Sequence, residues 1–64
     1  MEKSSKIFVA GHTGLVGSAI TKCLMQKGYN NFVFRTFSEL DLVDQKAVDS
    51  FFEKEKPEYV FLAA

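Results

Sequence analysis

Apolar side chains run together at Ile7-Phe8-Val9-Ala10. An unbroken run rich in β-formers predicts a parallel strand over residues 6–10, buried on both faces. From Leu15 the period lengthens. Leu15, Val16, Ala19, Ile20, Cys23 and Leu24 recur at i, i+4, i+8, with Lys22, Gln26 and Lys27 between them. That spacing predicts an amphipathic helix from Leu15 to Lys27, with Cys23 as a core residue. Gly28 suits the position just past its end, and Tyr29-Asn30-Asn31 makes the turn. Phe32-Val33-Phe34-Arg35 reads as a second strand. The stretch from Thr36 to Val43 is too short for a crossover helix, so Ser38-Glu39-Leu40-Asp41-Leu42 is expected as a loop or a vestigial edge strand. A second helix should run from an Asp44 N-cap to about Lys54, with Ala47, Val48, Phe51 and Phe52 facing inward. Pro57 lies just past it, and Glu58 to Ala63 reads as the last strand.

The order β-α-β-loop-α-β predicts an α/β fold, a parallel sheet with right-handed crossovers and flanking helices. In a Rossmann-like order the first strand is central, with the second on one side and the last on the other. The switch point then lies over the turn after the first strand, where a ligand belongs. That turn is Gly11-His12-Thr13-Gly14-Leu15-Val16-Gly17. A G-x-x-G-x-x-G spacing between a strand and a helix suits a dinucleotide. Gly11 serves the tight turn, Gly14 the approach of the diphosphate, and Gly17 the close packing of helix on strand. The alternative is a plain strand-to-helix turn that uses glycine for geometry alone.

Composition narrows the picture. The chain has 64 residues, eight acidic and eight basic side chains, and net charge zero. Nothing in that balance draws it to nucleic acid or to an anionic membrane. No apolar run approaches the ~18 residues of a membrane span. The polar opening, Met1 to Lys6, lacks the apolar core of a signal peptide. One cysteine, Cys23, forms no internal disulfide and suits a reducing cytosol. A cytoplasmic location is therefore expected. The final apolar run, Tyr59 to Ala64, has no polar tail, so residues 1–64 are read as the N-terminal part of a larger dinucleotide-binding domain.

Further residues join the glycine turn as cofactor-binding candidates. Arg35 ends the second strand 24 residues after Gly11, close to the ~20 at which such domains contact the adenosine ribose. A cation there suits a 2′-phosphate, hence NADP, with NAD as the alternative cofactor; otherwise Arg35 is a solvated strand end. Asp41 could accept a hydrogen bond from an adenine amino group with Leu42 flanking the ring, or Asp41 could help cap the next helix. Ala63 and Ala64 would leave room for a ribose and nicotinamide, or would pack under a neighbouring helix. His12 is expected to be a local hydrogen bonder in the turn and not an acid or base. Phe37 breaks the pattern, an aromatic in a polar loop beside the presumed adenosine site.

These residues resemble a known family. Gly11-x-x-Gly14-x-x-Gly17, Leu40-Asp41-Leu42-x-Asp44 and Leu62-Ala63-Ala64 are similar to the start of the extended short-chain dehydrogenases/reductases. Within them, the run from Ile7 to Ile20, with Arg35-Thr36, Ser38 to Leu42 and Glu55-Lys56-Pro57, resembles the GDP-L-fucose synthase branch. The resemblance implies an NADPH-dependent epimerase–reductase that takes GDP-4-keto-6-deoxy-D-mannose to GDP-L-fucose and is a homodimer when full-length. It implies cofactor contacts at Gly11 through Gly17, at Asp41 and Leu42, and at Ala63 and Ala64. The family's catalytic Ser, Tyr and Lys, and its epimerising Cys and His, would lie beyond residue 64, and His12 and Cys23 do not match them. The 64 residues alone are therefore expected to be inactive. Two positions depart from the pattern: Thr13 and Phe37 stand where members often carry cations that hold the 2′-phosphate. Rival readings are another sugar-nucleotide epimerase or dehydratase holding NAD, and a non-catalytic dinucleotide sensor.

Overall fold

Ile7–Ala10 forms β1, the middle strand of a three-stranded parallel sheet in the computed structural model, which describes residues 2–63. Phe32–Arg35 forms β2 on one side and Tyr59–Leu62 forms β3 on the other. Both neighbours pair with β1 in step, Ile7 opposite Phe32 and Tyr59, Ala10 opposite Arg35 and Leu62. Sandwiched this way, all four β1 side chains are buried. The residues between Thr36 and Val43 form turns, not a strand.

Leu15–Gln26 forms α1 and Gln45–Glu55 forms α2. They pack on opposite faces of the sheet because β1 alternates. Ile7 and Val9 meet Leu24, with Ile20, Tyr29, Phe32, Phe34 and Phe61 around them. Phe8 and Ala10 meet Leu40 and Phe51, with Val33, Ala47 and Phe52 beside them. The Phe8 and Phe51 rings lie 4.5 Å apart, tilted at 51°.

The helix ends follow local chemistry. At the end of α1 the Gly28 N–H donates to the Met25 carbonyl and the Tyr29 N–H to the Leu24 carbonyl, a Schellman pattern that needs a left-handed residue. Gly28 supplies it with φ of 96°. Asp44 caps α2, its carboxylate accepting from the Ala47 N–H at 3.2 Å.

One expectation fails on α1. Cys23 is exposed and is no core residue. Leu15, Val16 and Ala19 of the same predicted face are exposed too, Leu15 at 89%. Of its apolar residues the helix turns Ile20 and Leu24 onto the sheet, while Gly17 is buried against the turn after β1. Tyr59, Val60 and Leu62 of β3 are also exposed at the sheet edge.

Candidate functional site

The chain leaves β1 through a tight turn tied to the sheet. The Gly11 N–H donates to the Arg35 carbonyl at 2.9 Å, and the Gly14 N–H to the Gly11 carbonyl at 3.2 Å. Gly11 has φ of 77°, which side-chain-bearing residues rarely adopt. Gly17, inside α1, presses on this turn. A Cβ there would lie 2.1 Å from the Gly11 carbonyl oxygen, so the helix can approach only because that atom is missing. Gly14 differs, since a Cβ would meet only the Gly11 oxygen at 3.5 Å, an ordinary contact.

Gly14 is the N-cap of α1, extended at φ −76° and ψ 172°, and no side chain caps the first turn. A helix start left in this way presents backbone N–H groups and the positive end of its dipole. In front of it lies a pocket of about 290 Å³. Its walls are the glycine turn itself, apart from His12, together with Phe37 and Ala63. Among the described residues no carboxylate lines it. The open amides of a helix start, glycines that let a ligand come close, and no carboxylate among the described residues suit a diphosphate, so the residues present fit a dinucleotide.

Of the predicted site residues, Gly11, Thr13, Gly14, Leu15, Val16, Gly17 and Ala63 come together around this pocket. Ala63 is buried, its N–H bonded to the Ala10 carbonyl at 3.1 Å. Ala64 lies outside the described residues.

His12 does not act as the expected local hydrogen bonder. Its ring turns to the other side and stacks on Phe34, centroids 4.7 Å apart, and its buried Nδ1 has no hydrogen-bond partner among the described residues. There it lines a larger groove of about 570 Å³ between α1 and β2. Lys22, Met25 and Gln26 of α1 line it too. Its Ser18 and Thr21 hydroxyls already donate to the Leu15 and Gly17 carbonyls.

Arg35 stands at the expected height but its side chain leaves the pocket. It folds onto α2, its Cζ 5.2 Å from the Phe51 ring centroid. One guanidinium N–H donates to the Phe34 carbonyl at 2.7 Å, and Nη2 lies 4.0 Å from Glu55 Oε2. Asp41 and Leu42 are exposed in the turns before α2 and do not line the glycine pocket. The Asp41 carboxylate accepts from the Val43 N–H at 3.1 Å, and Asp44, not Asp41, caps the helix.

Phe37 was legible as an oddity but not as a wall of the site. A Cβ on Gly11 would lie 2.6 Å from the Phe37 ring and from the Ala63 carbonyl oxygen. Its turn is held by reciprocal bonds. Glu39 Oε1 accepts from the Thr36 N–H at 2.8 Å, and Thr36 Oγ1 accepts from the Glu39 N–H at 3.2 Å. The bonds from Thr36 hold the Glu39 carboxyl below the ordinary glutamate value. The signal was present as Thr36-x-x-Glu39, the spacing of a capping box.

Comparison with known proteins agrees with this geometry. The model of the NAD dependent epimerase/dehydratase family matches residues 7–64. A putative GDP-L-fucose synthase 2 of Arabidopsis thaliana is 64% identical over 64 residues, all of this chain and 20% of the relative. A GDP-L-fucose synthase of Escherichia coli is 49% identical over 59 residues, 92% of this chain and 18% of the relative. Among solved structures, a GDP-mannoheptose C4 reductase from Campylobacter jejuni with NADP bound superposes with a TM-score of 0.92 at 55% identity. The match covers all of this chain and 20% of that one. The chain thus spans about a fifth of the length of the curated relatives it matches.

Proposed function

This chain belongs to the NAD dependent epimerase/dehydratase family, and we propose on that premise that it is the cofactor-binding opening of an NADPH-dependent epimerase–reductase. In the full-length protein the substrate would be a GDP-linked 4-keto sugar, and the reaction that of the GDP-L-fucose synthases it resembles. The observation that carries this reading is the uncapped start of α1 facing a pocket walled by the glycine turn. The identities of 49–64% to proteins named for that activity support it.

NADPH bound here would supply the hydride that reduces the ketone. The chain's own residues would do the holding. The first-turn amides after Gly14 would meet the diphosphate, and the small Ala63 would leave room for a ribose and nicotinamide. Asp41 would accept from the adenine amino group beside Leu42. Arg35, helped by the Thr13 hydroxyl, would meet the 2′-phosphate after leaving its place on α2. Groups that epimerise the sugar and protonate the ketone would come from elsewhere in the full-length protein, since neither His12 nor Cys23 lines the glycine pocket. On the same reading the full-length protein is a cytosolic homodimer.

Two measurements test this. The purified full-length protein should oxidise NADPH with GDP-4-keto-6-deoxy-D-mannose and release GDP-L-fucose, while residues 1–64 alone should give no turnover. Turnover by the short chain would refute the assignment of catalysis elsewhere. The likeness to the heptose reductase supports a second substrate, and turnover with only a GDP-keto-heptose would select it. Replacement Arg35→Ala should raise the Kd for NADPH by roughly ten- to a hundredfold, the worth of a charge-assisted bond, and leave NADH nearly unchanged. Equal losses for both cofactors would make Arg35 structural, and an unmodified protein that prefers NADH would end the NADP assignment.

A further inference from the structure

Arg35 begins at the ligand end of the sheet and its side chain points away from it. β2 ends at Arg35, level with Ala10 and the start of the glycine turn. Its guanidinium passes the Phe51 ring and reaches toward Glu55, one helical turn further along α2. Glu55 is the last residue of α2, and its other carboxylate oxygen bonds Lys6 Nζ at 2.9 Å. Lys6 immediately precedes β1, at the end of the sheet opposite the glycine turn.

We propose that Glu55 is a positioning residue that sets the cofactor preference by drawing Arg35 away from the 2′-phosphate position. The proposal rests on the reading of Arg35 given above. Glu55 divides one charge between two cations, Oε1 to Lys6 and Oε2 to Arg35. The Lys6 contact is a direct hydrogen bond, whereas Arg35 stands 4.0 Å away. The Lys6 bond first, and then the positive charges of Lys6 and Arg35, hold the Glu55 carboxyl below the ordinary glutamate value. It is therefore charged at neutral pH. At that separation and exposure it acts as a tether more than as a clamp. A 2′-phosphate carries close to two negative charges and can meet a guanidinium with paired hydrogen bonds, so it can win Arg35. The energy that releases Arg35 from Glu55 is then subtracted from the binding of NADPH alone. NADH makes no use of Arg35 and is not affected. Lys6 is the counterweight: the more of the carboxylate it holds, the weaker the tether.

The two partners therefore predict changes of opposite sign. In the full-length protein, Glu55→Gln should tighten NADPH by about two- to fivefold, the range of an exposed ion pair. Lys6→Met should leave Glu55 to Arg35 and weaken NADPH by about twofold. NADH should bind unchanged in both, and in an Arg35→Ala background neither replacement should alter either cofactor. Titration of NADPH and NADH against each variant, by the cofactor's own fluorescence, reads all of these, with thermal melting as the check on folding. A purely structural role for Glu55 would move both cofactors together and would give no opposite sign for Lys6→Met. An unchanged NADPH-to-NADH ratio in Glu55→Gln, with Arg35→Ala still selective for NADPH, overturns the tether and leaves the Arg35 reading intact. Equal losses for both cofactors in Arg35→Ala overturn both. Should Glu55→Gln fail to fold, the Lys6→Met arm carries the decision.

Discussion

The two helices of this chain begin in opposite ways. α2 starts at Asp44, whose carboxylate accepts the Ala47 N–H and lies at the positive end of the helix dipole. α1 starts at Gly14, which has no side chain to offer its first turn. Both N-cap residues are extended and both helices pack on the same small sheet. What lies in front of them differs. Before α1 there is a pocket that no carboxylate lines among the described residues, walled by the glycine turn, Phe37 and Ala63. A helix end that the chain satisfies with its own side chain is structural. One that it leaves open, facing a pocket, has the geometry that suits an anion. The arrangement costs little, because glycine is only a few tenths of a kcal/mol worse than the best N-caps.

The sharpest way to break the comparison is to close the gap that lets α1 lie on its turn. Gly17→Val would force atoms into the Gly11 carbonyl, 2.1 Å from where its Cβ would stand. It should destabilise the full-length protein by about 3 kcal/mol or more, seen as a lower urea midpoint. A variant as stable as the parent would show that the helix does not need this contact. Next in size is a replacement that makes the two helix starts alike. Gly14→Asp meets no obstacle beyond the Gly11 oxygen at 3.5 Å. Its carboxylate would cap α1 as Asp44 caps α2 and would repel a diphosphate. Stability should hold within a few tenths of a kcal/mol, while the Kd for NADPH rises on the order of a hundredfold, through loss of charge-assisted bonds. Undiminished affinity in the folded variant would remove the start of α1 from the site.

The converse change sharpens the contrast. Asp44→Ala removes the α2 cap and should cost about 1 kcal/mol of stability, read by the same urea titration. Cofactor affinity should stay as it was, since Asp44 does not line the pocket. A matching loss of NADPH affinity would mean that the α2 cap supports the site, and the division into structural and functional helix starts would fail.

Much of this was legible before the fold was known, for physical reasons. Continuous apolar runs and the 3.6-residue period placed every strand and helix to within a residue or so, and Asp44 and Gly28 marked their helix boundaries as predicted. Position along the chain also placed the glycine turn and Ala63 around one pocket. What periodicity does not carry is what covers an apolar face. Leu15, Val16, Ala19 and Cys23 have the right spacing for a core and are nonetheless exposed here. Nor does it give side-chain direction at an element's end. The pleat could have supplied it for Arg35. Phe34 faces α1, so the next residue must face α2, where Phe51 and Glu55 wait. For His12 the decisive neighbour, Phe34, is 22 positions away in sequence and adjacent only after folding.

The smallest expected effect concerns the turn that places Phe37 over Gly11. Thr36 and Glu39 exchange hydrogen bonds, as a capping box does, but they stabilise a turn at the pocket wall. Because those bonds favour the charged carboxylate, Glu39 titrates below its unfolded value. The sign follows from linkage: its contribution is complete above the unfolded value of about 4.3 and is lost as pH falls through the lower folded one. Glu39→Gln keeps an acceptor for the Thr36 N–H and discards the charge. Its melting temperature should therefore lie slightly below that of the parent at pH 7, and the difference should shrink as the pH is taken down toward 3. A difference that stays constant over this range would mean that Glu39 acts through shape and not through charge.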